Sequence, residues 1–207
     1  MAGFYDRHIL PRLVDLACGA GSIAQQRAKV VPEASGVVVE IGMGPGHNLP
    51  YYDADKVKHI IGVDPGKQMT DRAEKRLEES PLEVEIINAS AEDMPIGTAF
   101  ADTVVLTYSA CTIPSAEQAL AEMRRVLKPT GRLLFCEHGR APDAQVARFQ
   151  DRVNPYWNAI AGGCNVNRDI PALIKAAGFD IRVLEEGYLS PFPKFPSYHF
   201  SGQAGRD

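Results

Sequence analysis

Two acidic residues stand where they could grip a small ligand. Glu40 opens the run Glu40-Ile41-Gly42-Met43-Gly44-Pro45-Gly46 directly after Val37-Val38-Val39, and Asp64 closes a second apolar stretch, His59-Ile60-Ile61-Gly62-Val63. A glycine-rich turn at the end of a buried strand lets the backbone approach a ligand closely. The spacing here is G-x-G-x-G; a dinucleotide fingerprint, G-x-G-x-x-G, needs a third glycine where this chain has His47. Pro45 lacks an amide that a diphosphate cradle would use, and Glu40 puts an acid beside the turn. The turn therefore suits a ligand with a cationic amino group better than one with two phosphates. Asp64 can accept hydrogen bonds from both hydroxyls of a ribose, since an ionised carboxylate is acceptor-only; the alternative is a helix N-cap for residues 66–79. Beyond a third apolar run comes Asn88-Ala89-Ser90-Ala91-Glu92-Asp93-Met94-Pro95. That polar loop can present backbone amides at Ser90, Ala91 and Glu92 to a nucleobase edge, or be an ordinary acidic surface loop.

These positions need a scaffold that brings strand ends together. Strands are expected over residues 37–41, 59–63, 84–87, 103–107 and 132–136, separated by polar or helix-patterned sequence, which is the alternation of a parallel α/β sheet. The clearest helix carries Ala116, Ala119, Leu120, Met123, Val126 and Leu127 on one face. Ser115 and Gln118 form a capping-box pattern at its start, and Lys128-Pro129-Thr130-Gly131 breaks the chain at its end. Residues 67–79 read as a second helix. Asn167 is expected to cap a third, with Ile170, Leu173, Ile174 and Ala177 inward and Gly178 at its stop. Residues 179–188 and 197–202 then read as an antiparallel pair. The fold expected is a Rossmann-like doubly wound sheet of about seven strands, mostly parallel with an antiparallel C-terminal hairpin. A single domain spans 1–207: an N-terminal helical cap (1–35), a cofactor-binding core (36–138) and acceptor-side helices and strands (139–207). The segments before residue 36 and over 139–166 do not fit the alternation and are candidate lids.

Composition sets outer bounds. The 207 residues are 45% hydrophobic and 23% charged, with a net charge of −4, a globular balance that argues against binding nucleic acid by phosphate neutralisation. Cys18, Cys111, Cys136 and Cys164 are far apart in sequence, with no C-x-x-C pair and no Cys/His clustering, so reduced thiols and no metal site are expected. No run is long and apolar enough to span a bilayer, and the start lacks a signal-peptide pattern, so the expected location is cytoplasmic. The stripe Phe4, Ile9, Leu10, Leu13, Val14 and Leu16 can pack over an acceptor pocket or touch a membrane surface, while plain core or oligomer contact is the simpler reading.

Taken in order, these motifs resemble those of the class I S-adenosylmethionine-dependent methyltransferases. E-I-G-M-G-P-G resembles the family's E/D-x-G-x-G-x-G loop, Asp64 its ribose acid, S-A-E-D-M-P its adenine loop, and V-L-K-P-T-G-R-L its approach to the fifth strand. Ser90 stands where the family often has Asp, which leaves Asp93 or the Ala91 backbone to hold the adenine amino group. The later stretches C-E-H-G-R-A and W-N-A-I-A-G-G-C-N-V-N-R-D-I are similar to methyltransferase-like proteins that S-methylate alkyl thiols; quinone C-methyltransferases and phospholipid N-methyltransferases share less of them. The resemblance implies S-adenosylmethionine as cofactor, bound by Glu40, Gly42, Gly44, Gly46, Asp64, Ser90, Ala91 and Glu92, and a small lipophilic acceptor. A thiol is favoured over a quinone-like carbon, an amine or a phospholipid.

Methyl transfer from a sulfonium needs alignment, a dry cavity and a deprotonated nucleophile. His138, at the ligand-side end of the fifth strand, is the expected base, or else a histidine bonded to a loop carbonyl. Tyr108 lines the acceptor pocket or lies below the methionine portion, with a packing aromatic as the equal alternative. Asn165 and Arg168 orient the acceptor or fasten a lid, Arg168 alternatively pairing with Asp169; Trp157 belongs to an aromatic group on the acceptor side. No His-plus-Asn arrangement accompanies Cys164 in the sequence, so it reads as a packed small residue. The rival readings are a cofactor-binding module without transfer activity and a nicotinamide dehydrogenase, the latter opposed by His47 and Glu40.

Overall fold

The computed structural model describes residues 10, 15, 16, 18, 19, 21–66 and 71–206. Seven strands form one sheet in the order β3-β2-β1-β4-β5-β7-β6: β1 (Gly36–Ile41), β2 (Val57–Val63), β3 (Val84–Ile87), β4 (Ala101–Thr107), β5 (Leu127–His138), β6 (Phe179–Tyr188) and β7 (Tyr198–Arg206). The first five are parallel, and β7 inserts antiparallel between β5 and β6. The strand order reverses between β1 and β4, which opens a crevice beyond their carboxyl ends.

Burial on both faces explains why the central strands are continuous β-branched runs. Val39 and Ile41 of β1 face a core with Leu120, Met123 and Val126 of α3 (Ala116–Val126) and with Ile170 and Ile174 of α5 (Ile170–Ala176). Val38 faces the other core, with Val30, Val31, Leu49 and Tyr52. That side is covered by α1 (Gly21–Val30) and carries α2 (Glu74–Glu79), whose Leu77 packs at the edge. The long α4 (Ala144–Ile160) and the single turn α6 (Lys194–Ser197) pack against one another.

Several expectations are revised in detail. The fifth strand runs from Leu127 rather than Arg132, because Leu127 pairs with Ala101 before the register breaks and resumes at Thr103↔Arg132. The break accommodates Pro129 and Gly131 within the strand. Ser115 does accept from the Gln118 amide, but the return half of its box is supplied by Glu92, which accepts from Ser115 N at 2.8 Å. Asp169, not Asn167, caps α5, accepting from Ala172 N at 3.0 Å, while Asn167 donates to Asp151. Gly178 ends that helix at φ +81° as the pattern implied. The helix expected over 67–79 is a 3₁₀ turn at 71–73 followed by α2, its first four residues lying outside those described. Within the candidate lid at 139–166, α4 was not anticipated. Of the N-terminal stripe, Leu10 borders the cavity described below and Leu16 is exposed, while Phe4, Ile9, Leu13 and Val14 lie outside the described residues.

Asp169→Ala removes the acceptor that holds an α5 orphan amide and is expected to cost about 1 kcal/mol of stability in urea unfolding. Asn167→Ala, which breaks only an exposed bond to Asp151, is expected to cost about half as much or less.

Candidate active site

A cavity of about 1110 Å³ opens at the β1/β4 switch point. Its floor is the turn after β1. Gly42 sits at φ +67° with Ser109 where a Cβ would go, and Gly44 at φ +52°; side chains are strained in both conformations. Asp64, at the end of β2, secures this turn: one carboxylate oxygen accepts from Gly44 N at 2.9 Å and the other from Gly66 N at 2.7 Å. Each oxygen keeps a lone-pair direction for a further donor. Burial raises the Asp64 pKa, against those two amides, which lower it. Ser90, Ala91 and Glu92 line the cavity further along, with Ser90 Oγ donating to the Glu92 carboxylate.

Glu40 departs from expectation. It does not line the cavity, because strand alternation turns it to the Val38 side of the sheet, beneath residues 48–52. There it is 2% exposed, accepting from Asn48 Nδ2 at 3.0 Å and from Tyr52 OH at 2.7 Å. Burial pushes its pKa up to about 7, against the lowering effect of Tyr52, Arg27 and Asn48. Asn48 also donates to Thr107 and accepts from Arg27 Nη1 at 2.7 Å; the same Nη1 lies 2.6 Å from Thr107 Oγ1.

Arg27 is the functional candidate that sequence reasoning missed. It lies on α1, is 5% exposed, lines the cavity, and stacks 4.9 Å from the Tyr108 ring centroid. Its Nε is buried without a partner, and it makes no ion pair with a carboxylate among the described residues. Tyr108 lines the cavity at φ +53°, its amide donating to Cys136 O at 2.9 Å and its hydroxyl 3.3 Å from His199 Nδ1. Glu137, the residue before His138, is fully buried and accepts from Ser109 N and Ala110 N at 2.7 and 3.0 Å, which fixes the loop after β4.

Leu10, Ile23, Ile160, Leu189 and Phe192 give the cavity apolar wall, and Trp157 also lines it. Asn165 and Arg168 are not among the lining residues. Asn165 ties its loop to Cys111 O through both its backbone and side-chain nitrogens, and Arg168 donates to the carbonyls of Ala110, Ile113 and Pro114. Both side chains tie neighbouring loops together. Arg168 is also not paired with Asp169.

His138 lines the cavity with its Nε2 3.4 Å from Cys164 Sγ and its Nδ1 buried and unpartnered. Burial opposes a charged imidazole, but the hydrogen bond and charge of Cys164 outweigh it and the His138 pKa is raised. The Cys164 pKa is lowered by a hydrogen bond from the Cys111 thiol and by His138. Donor atoms of Cys111, His138 and Cys164 all lie within 4.8 Å of one another. The expectation of no Cys/His clustering is thereby corrected, as is the reading of Cys164 as unaccompanied by a histidine.

A family model described as a methyltransferase domain matches residues 39–135. Thiol S-methyltransferase TMT1B of Rattus norvegicus is 33% identical over 172 residues, 81% of this chain and 69% of that protein; the match to the human TMT1B takes in 57% of its length. Phosphatidylethanolamine N-methyltransferase of Cereibacter sphaeroides is 30% identical over 152 residues, 72% of this chain and 74% of that protein. A solved SAM-dependent methyltransferase from Thermotoga maritima superposes with a TM-score of 0.68 at 22% identity, covering 97% of this chain and 99% of that one. The cavity fits such a cofactor: its lining holds the Asp64 carboxylate and a buried, incompletely paired guanidinium. The chain belongs to the class I S-adenosylmethionine-dependent methyltransferases, with S-adenosylmethionine as cofactor. Within them it stands near the TMT1 thiol S-methyltransferases. No helix among the described residues is long and apolar enough to cross a membrane.

Glu40 gives a pH test of this construction. Its folded pKa of about 7 lies above the ordinary 4.5, so between those values the unfolded chain ionises while the folded one keeps the proton. Stability contributed by Glu40 is therefore greatest below the ordinary value and falls as pH rises to about 7, by up to about 3 kcal/mol. Glu40→Gln, which can accept from Asn48 and donate to Tyr52, is expected to flatten that decline in urea unfolding followed from pH 4.5 to 8; an unchanged slope would contradict the assignment.

Proposed function

We propose that this chain transfers a methyl group to a small lipophilic thiol. The observation that carries the reading is that one cavity is lined by Asp64 and Arg27, by the His138–Cys164 pair and by the apolar Leu10, Trp157, Ile160 and Phe192. S-adenosylmethionine supplies a methyl group on a positively charged sulfur, which a nucleophile displaces in line. In this reading Asp64 accepts from the ribose hydroxyls, the Ser90–Glu92 loop borders the adenine, and Arg27 meets the carboxylate of the amino-acid tail with the unpartnered edge of its guanidinium. Glu40 does not touch the cofactor; it positions Asn48, and through Asn48 it positions Arg27.

On the acceptor side, the half-buried Leu10 and Trp157 shield the nucleophile from water, while Ile160 and Phe192 border the cavity at the protein surface. The His138–Cys164 pair is assigned the removal of the acceptor's proton. A thiol, ionising near pH ~8.5, asks less of that pair than an amine or a phenol would. The similarity to thiol S-methyltransferases supports sulfur over the nitrogen acceptor named for the Cereibacter relative. The four free cysteines suit a reducing compartment such as the cytoplasm.

Isothermal titration with S-adenosylhomocysteine is expected to show Asp64→Ala weakening binding by about 1–3 kcal/mol through lost ribose hydrogen bonds. Arg27→Gln is expected to lose at least as much, because the charge-assisted bond to the tail goes with it. His138→Ala is expected to keep cofactor affinity while turnover on alkyl thiols falls about 100-fold; undiminished turnover would remove His138 from the reaction. A protein that binds the cofactor yet methylates no thiol, amine, phenol or quinol would be a binding module instead.

A further inference from the structure

We propose that Cys111, His138 and Cys164 form a zinc site whose open fourth position takes the sulfur of the acceptor thiol. Its acceptor rests on the thiol reading above, while its metal stands independently; with zinc bound, His138 and Cys164 are ligands, and the metal takes over from that pair the role of lowering the thiol's pKa. The three donors come from three separate segments: the loop after β4, the last residue of β5, and the loop after α4. They converge to within 4.8 Å, with His138 Nε2 3.4 Å from Cys164 Sγ. In a tetrahedral site with metal–sulfur bonds of about 2.3 Å and metal–nitrogen bonds of about 2.0 Å, neighbouring donors lie about 3.5–3.8 Å apart. Small side-chain adjustments close the remaining gap. The backbone around the donors is already fixed: Asn165, beside Cys164, binds Cys111 O twice at 2.8 and 3.0 Å, and Glu137, beside His138, holds the amides of Ser109 and Ala110.

The donor set selects the metal and its use. Two thiolates and one imidazole suit zinc, and three protein ligands with a vacant position are the pattern of catalytic rather than structural zinc. All three residues line the cavity, so the vacancy opens into the space it encloses. Ligation through Nε2 leaves the His138 proton on Nδ1. That Nδ1 is buried without a hydrogen-bond partner among the described residues.

The step balances without any redox partner. An entering thiol R–SH coordinates the metal as thiolate, and its proton passes to solvent. The coordinated sulfur forms a bond to the donor methyl as the donor's methyl–sulfonium bond breaks, its electron pair remaining on the donor sulfur. The product R–S–CH₃ is a neutral thioether, a weaker ligand than the thiolate, and leaves the metal. Soft sulfur is thereby chosen over amine and phenol acceptors of similar size.

Protein purified without chelating resin is expected to carry about one zinc per chain by plasma mass spectrometry. After chelation, Co²⁺ titration is expected to give a thiolate charge-transfer band with tetrahedral d–d bands, and hexanethiol should shift the latter. Cys111→Ser and Cys164→Ser are expected to abolish the charge-transfer signal while retaining S-adenosylhomocysteine affinity, which shows the fold intact. Methylation of hexanethiol is expected to fall at least about tenfold on chelation and to return with Zn²⁺. Full activity in metal-free protein would overturn the zinc site and leave thiol transfer standing. A cobalt spectrum indifferent to hexanethiol would overturn the open position, and cobalt bound equally by both serine variants would overturn the ligand set. A thiol-sensitive cobalt spectrum in a protein that methylates no thiol would support the metal site while removing the transfer reading.

Discussion

A guanidinium buried to 5% exposure constrains everything around it. Charge taken from water costs several kcal/mol unless it is paired or hydrogen-bonded, and among the described residues Arg27 has no direct carboxylate. Its charge is spread through Asn48 and Thr107 toward Glu40, a group whose own burial lifts its pKa to about 7. This chain of bonds joins α1, the turn after β1 and the end of β4. Helix α1 closes one flank of the cavity because Arg27 is anchored there.

How much of this was legible follows from which forces are local. The central strands are apolar and β-branched because both faces are covered, so they stand out from the surrounding sequence, and β3 falls at 84–87 as read. Helix α3 was visible because Ala119, Leu120, Met123 and Val126 all bury on one face. Helix α4 was not: it carries Pro155, buries only Ala147 and Gln150, and leaves Phe149, Tyr156 and Ile160 exposed. Its pattern serves a cavity wall and a surface rather than a core, so periodicity carried little signal. The cap on α5 went to Asp169 because that residue directly precedes the helix, a two-residue difference that composition alone does not resolve.

In the site, the same division holds. Gly42, Gly44, Asp64 and the Ser90–Glu92 loop border the cavity because strand order fixes where strand ends point. Side-chain direction at Glu40 depended on which face of β1 it occupied, and the acid reads identically in sequence either way. Arg27 and the Cys111–His138–Cys164 cluster depend on contacts between segments far apart in the chain. Spacing rules for metal sites look for ligands close together in sequence, and this cluster has none.

Asn165 and Arg168 show why polar residues near an acceptor pocket so readily mislead. Arginine has five donors in a rigid fork, and those of Arg168 are directed to carbonyls of the 110–114 loop. Asn165 is similarly committed to Cys111 O and Gly163 O, while its own oxygen accepts from Asn154 and Asn158. Donors satisfied in this way are not available to a ligand. Their effect is to hold the Cys111 loop against the Cys164 loop, so the polar side chains that sequence places at the acceptor act one step behind it. What those loops deliver to the cavity itself is the sulfur atoms of Cys111 and Cys164, beside the imidazole at the end of β5.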